Sequence, residues 1–164
     1  MQQSSYLDVL KERYRFDEWK EAGTAGGERM DPLTFSGDEF PGWRLTRQAR
    51  REPSGHPPFV RTIWQGSSPD NILGIDVFEC ASPAEAREYL LHRLGEFQGP
   101  TLERADGLGA GDIAFATPGE TVVVFSRGRN VAVLHNGGRR VESLGGVASA
   151  LDRLLGGGDR GERR

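Results

Sequence analysis

Glu120-Thr121-Val122-Val123-Val124-Phe125-Ser126-Arg127-Gly128-Arg129-Asn130-Val131-Ala132-Val133-Leu134-His135-Asn136-Gly137-Gly138 is the stretch that decides the fold. Two apolar runs, Thr121 to Phe125 and Val131 to Leu134, flank the polar segment Ser126 to Asn130. β-Branched and aromatic side chains suit a pleated, buried surface, and glycine with asparagine supplies the positive φ that a tight reversal needs. The stretch reads as a β-hairpin at the centre of a sheet, with Arg127 and Arg129 at its exposed tip.

Upstream, Phe59, Arg61, Ile63 and Gln65 alternate with Val60, Thr62 and Trp64, the period of a strand with two different faces. In Ile72 to Cys80, Leu73, Ile75 and Val77 alternate with Ile72, Asp76, Phe78 and Cys80, and a turn from Gly66 to Asn71 joins the two runs into a second hairpin. Phe40-Pro41-Gly42 turns into a short strand from Trp43 to Arg47. Gln48 to Pro58, rich in arginine, proline and glycine, reads as an exposed mobile loop, and Gly23 to Gly37 as a loop that does not separate two domains. Thr101 to Asp106 is expected to be an edge strand, Ile113 to Thr117 a short strand, and Pro118-Gly119 the turn into the central hairpin.

Ser82-Pro83-Ala84-Glu85 is a helix start: serine accepts from an orphan amide, proline has no amide to leave unpaired, and glutamate reaches back to the cap. Ala86, Tyr89, Leu90, Leu94 and Phe97 then form one stripe, ended by Gly99-Pro100. A last helix between Val141 and Leu155 presents Leu144, Val147, Ala148, Leu151, Leu154 and Leu155 at three- and four-residue intervals. The N-terminal helix is expected to begin at Ser5 and to end by Gly23, with Tyr6, Leu10 and Tyr14 aligned and Phe16 and Trp19 off that line.

These elements predict an α+β fold: a single antiparallel sheet of about six or seven strands, packed on one face by two amphipathic helices, plus an N-terminal helix. At the level of fold alone the order of elements is similar to the PsbP-like α+β sandwiches, and that likeness implies no function. Residues 1–155 are expected to form one domain, with residues 1–22 its N-terminal helical segment and residues 156–164 a polar, disordered tail.

A chain of 164 residues can bury about 70% of its unfolded surface, enough for a core without staples. The single cysteine, Cys80, has no internal partner, and no basic-then-apolar leader opens the sequence, so the expected compartment is the cytoplasm. No apolar run approaches the roughly 20 residues that span a bilayer, so no membrane partner is expected. With 21 basic against 24 acidic residues there is no global attraction to nucleic acid; all but two of the basic residues are arginine.

The chemistry-bearing residues are sparse. Cys80 with His56, His92 or His135 would make a nucleophile and base, although a buried cysteine is more often structural. The histidines show no short-range pairing, so no metal site is expected. Asp76, Glu79 and Asp112 are candidates for acid–base work, but the odd spacing of the first two sets them on opposite faces of a regular strand. Gly107-Leu108-Gly109-Ala110-Gly111-Asp112 lacks the strand-then-helix context of a nucleotide loop, so no cofactor is expected. Arginines cluster at 47, 50 and 51, at 127 and 129, and at 139 and 140, a residue type suited to carboxylates and phosphates.

The balance favours a non-enzymatic module that binds a protein partner or a second copy of itself. The candidate binding residues are Arg127, Arg129, Trp19 and Phe16, with the uncovered sheet face as a further surface and Trp43, Trp64 and Phe59 as aromatics that would mark it. A small enzyme or small-ligand protein, with a pocket between sheet and loops, is the alternative. Nucleic acid ranks third, because no stacking aromatic interleaves the arginines of Ser126 to Asn130.

Overall fold

In a computed structural model, which describes residues 2–15, 33–96 and 102–156, seven strands form one antiparallel sheet. The order along the chain is α1 (Gln2–Arg13), β1 (Arg44–Arg51), β2 (Phe59–Gln65), β3 (Ile72–Glu79), α2 (Pro83–Glu96), β4 (Glu103–Arg104), β5 (Ile113–Ala116), β6 (Val122–Arg127), β7 (Asn130–Asn136) and α3 (Gly145–Gly156). In space the strands run β1-β2-β3-β7-β6-β5-β4, so two meanders meet where β3 pairs with β7.

The quoted stretch is the β6–β7 hairpin, and β7 is the middle strand. Its turn is Gly128-Arg129, closed by the pair Arg127 and Asn130. Gly128 alone carries a positive φ, +59°, the pattern of a type II′ turn, and Asn130 is already the first residue of β7.

Successive positions of β5, β6 and β7 are apolar, so both faces of the sheet need cover. On one face Leu73, Ile75, Val77, Val123, Phe125 and Leu134 pack under Leu144, Ala148, Leu151 and Leu155 of α3. On the other, Phe78, Val124, Val131, Val133, Ile113 and Phe115 pack under Ala86, Leu90, Leu91 and Leu94 of α2 and under Leu10 and Tyr14 of α1. The two amphipathic helices therefore lie on opposite faces, not together on one. A sheet apolar on one side only would have placed them together; valines at 122, 123 and 124 do not allow that.

Residues 33–43 complete the α3 face beyond the helix. Phe35 and Phe40 pack edge-on against Trp64, with centroids 5.8 and 4.9 Å away, and leave it fully buried. Its indole N–H donates to Thr62 Oγ1 at 2.7 Å, and Thr62 donates onward to the Ile75 carbonyl. Burial of an aromatic of this size favours folding by about 5 kcal/mol. Trp64 is thus core, and Trp43 is half-buried against the same cluster.

Three boundaries differ from the sequence reading. Strand β1 continues through Gln48 to Arg51, a stretch whose composition suggests a loop, because those residues pair with Phe59 to Thr62. Helix α1 begins at Gln2 and ends at Arg13, where Arg15 turns to a left-handed φ of +53° and its carbonyl accepts from Arg104 Nη1 at 2.8 Å. Helix α3 begins at Gly145; Val141 is exposed, and Asn136 fastens the preceding segment by accepting from Glu142 N–H and donating to its carbonyl. At the start of α2, Glu85 N–H donates to Ser82 Oγ as the sequence predicts, while the Glu85 carboxylate reaches one residue past the cap and accepts from Ala81 N–H.

Candidate functional site

Strand β1 reads Arg-Leu-Thr-Arg-Gln-Ala-Arg-Arg from 44 to 51 and forms one edge of the sheet. Arg44 and Arg47 are an odd number of residues apart, which in a regular strand points them to opposite faces. The register with β2 shifts between Leu45 and Arg47, leaving Thr46 as the extra residue of a bulge. Arg44 lies opposite Gln65, Arg47 opposite Ile63, Ala49 opposite Arg61 and Arg51 opposite Phe59. The bulge therefore gathers Arg44, Arg47 and Arg51 onto the α2 face, where Arg61 of β2 joins them. Among the described residues, the strands β1–β3 place one carboxylate, Asp76, on the face that carries these four guanidinium groups.

Arg61 grips both oxygens of Asp76, at 3.0 and 3.1 Å, and that hydrogen bonding raises its pKa. Arg44 donates to Gln65. Arg50 points to the α3 face, where Glu79 at 2.8 Å and Glu52 at 3.0 Å hold it and raise its pKa. Among the described residues Arg47 and Arg51 have no carboxylate within ion-pair distance.

An aromatic row runs under this charge. Tyr89 of α2 packs on Phe78 at 5.0 Å, and Phe78 on Phe59 at 4.8 Å. Arg93 lies over Phe78, and Arg61 over Phe59, each 5.3 Å from the ring centroid. α2 packs against β6 and β7, and the aromatic row marks the limit of its cover. Beyond that limit, Phe59 and Ile63 stay half-buried and Arg44, Arg47 and Arg51 are exposed. Phe59 is thus the one of the three candidate aromatics that opens onto this face.

The candidate arginine tip behaves otherwise. Arg127 Nε sits 3.3 Å from Asp152 Oδ1 of α3, and Nη1 lies 3.9 Å from Asp112 Oδ1. Asp112 also accepts from Gly128 N–H at 3.0 Å. Only 21% of the Arg127 side chain is exposed, so it clamps the hairpin to α3 and is not the free tip its turn position suggests. Arg129 is half-buried, and its carbonyl accepts from Cys80 N–H at 2.9 Å. Phe16 and Trp19 lie outside the described residues.

A cleft of about 490 Å³ brings His56, Glu79, Cys80 and Glu85 together at the end of β3. Burial, then the charge of Glu85, pushes the Cys80 thiol up to about 12, and Arg129 only partly opposes this. The thiol stays protonated near neutral pH, so the cysteine–histidine pairing lacks its nucleophile. His92 on α2 and His135 on β7 are exposed and stand outside the cleft. Among the described residues no group of three metal-ligating side chains converges.

Asp76, Glu79 and Asp112 are each engaged with a different arginine and form no carboxylate pair. The glycine loop borders a second cleft of about 400 Å³ with Arg104, Asp106 and Asp112. Arg104 is bound there to Asp106 at 2.6 Å, which holds the Asp106 carboxyl below its usual range, so the loop offers no free cation to a phosphate. No described helix is long and apolar enough to cross a membrane.

The arginines of β1 are visible in the sequence; their convergence is not, because it depends on a bulge that has no residue signature of its own. Comparison with known protein families, with curated proteins and with solved structures finds no match to this chain.

Proposed function

We propose that the protein is a non-enzymatic binding module that takes an acidic protein partner on the α2 face of β1 and β2. The observation that carries this is the pair Arg47 and Arg51: exposed, without a carboxylate partner among the described residues, and on one face with Arg44, Arg61 and a half-buried Phe59 and Ile63. Guanidinium groups beside apolar surface suit carboxylates delivered by a polypeptide, with the charge guiding encounter and the apolar area adding affinity. Edge arginines also keep sheets from sticking edge to edge, and that protective role accounts for charge at β1 without a partner. It does not require three of the arginines to share a face.

Titration with poly-L-glutamate at low salt separates the two roles. The chain is expected to bind, and Arg47→Glu with Arg51→Glu to lose about a hundredfold in affinity, a factor of about ten for each reversed charge. Reversal of the exposed Arg139 and Arg140 should leave binding within about twofold. Equal loss in both double variants would reduce the effect to net charge and overturn the proposal.

The cleft around Cys80 supports a second reading, a small-ligand site lined by His56, Glu79 and Glu85. A neutral thiol suits a passive wall there better than a reacting group.

A further inference from the structure

We infer that the acidic partner engages as an added strand, pairing its backbone with the outer edge of β1; this rests on the arginine-face proposal above. β1 is the terminal strand, and among the described residues no strand pairs with its outer edge. In an antiparallel strand alternate residues turn N–H and C=O away from the neighbour, so this edge offers donors and acceptors that an extended polypeptide can pair. Regular pairing is available from Arg47 to Arg51, since Thr46 is bulged and its hydroxyl donates back to the Ile63 carbonyl.

The charge selects the occupant. A second copy would set β1 against β1, four arginines against four, and like charges directly opposite are destabilising. An acidic strand meets the same arginines favourably. On the α2 face its side chains would flank Arg47 and Arg51, with the small Ala49 between them leaving room for a carboxylate that reaches both. On the α3 face they would flank Gln48 and Arg50, and Arg50 is already satisfied by Glu52 and Glu79. The favoured ligand is thus acidic at every second residue and uncharged between. Nucleic acid fits less well: it has no N–H and C=O ladder to offer, and Arg61 already covers the Phe59 ring on which a base would stack.

The test uses a capped octapeptide of alternating glutamate and valine, the same peptide methylated at every peptide nitrogen, and a single-stranded oligonucleotide of equal charge. The unmodified peptide is expected to bind, to lose about tenfold or more on methylation, and to protect outer-edge β1 amides from hydrogen exchange. If both peptides bind equally and Arg47→Glu with Arg51→Glu abolishes both, strand addition is overturned while the arginine surface stands. If the octapeptide binds that double variant as well as it binds the unaltered chain, both proposals fail. Tighter binding of the oligonucleotide than of the peptide would overturn the polypeptide reading.

Discussion

The two ends of the sheet are built on different terms. At the β5–β6–β7 end, helices cover both faces, and Phe115, Val124, Phe125 and Val133 are buried whichever way they point. At the β1–β2 end, the α3 face is closed by Phe35, Phe40 and Trp64, while the α2 face carries arginines over half-buried apolar side chains. At the first end both faces of the sheet are closed by packed helices. The second is closed on its α3 face and leaves arginines exposed on the other. If the proposed role is right, stability and recognition are divided along the sheet and not between its two layers.

Truncation in the closed half should have the largest effect. Phe125, fully buried beneath α3, has no way to vacate its site, so Phe125→Ala is expected to cost about 3–5 kcal/mol in urea unfolding. A cost below about 1 kcal/mol would mean that the α3 layer is loosely docked and that the contrast between the two ends is false.

Arg127 tests the seam between hairpin and helix. Its removal leaves Asp152 facing Asp112 across a largely buried site, and Arg127→Ala is expected to cost about 2 kcal/mol near neutral pH, less than a fully buried pair because part of the side chain is exposed. Burial raises the Asp152 carboxyl above the usual aspartate value of 3.8, with Arg127 opposing. An acid whose folded value is raised takes up its proton in the native state first as pH falls; the native state gains on acidification through that window and loses as pH rises through it. Without Arg127 the window moves higher, and a protonated Asp152 needs no cation. The cost of Arg127→Ala should therefore be largest at neutral pH and should shrink as pH approaches 3.8, measured as the difference between the two unfolding curves. A cost independent of pH would assign Arg127 a packing role alone.

The same division explains what could be read in the chain beforehand. The central hairpin is legible because Val122 to Phe125 and Val131 to Leu134 must be buried wherever they lie, and the cap of α2 because its donors and acceptors are local. Gln48 to Arg51 carries no apolar alternation; it is strand only because β2 lies beside it, and that cause is remote in sequence. The opposite placement of α2 and α3 follows from consecutive apolar positions in β5 and β6, a cue that identifies central strands without saying which helix covers which face. Arg127 escapes because its partners sit at 112 and 152, far along the chain in either direction.

The smallest effect belongs to the open end, and its smallness is the informative part. Arg47→Ala and Arg51→Ala remove exposed side chains with no carboxylate partner among the described residues, so the pair should change unfolding free energy by no more than about 0.5 kcal/mol. A modest stabilisation is compatible with this, because the four arginines of this face repel one another and, among the described residues, only Arg61 has a counter-ion there. Such a result would separate Arg47 and Arg51 from the stability of the fold and leave their role to the binding measurements. If the double variant instead lost as much as Arg127→Ala, the arginines would be part of the fold, and the case for an acidic partner at β1 would go with them.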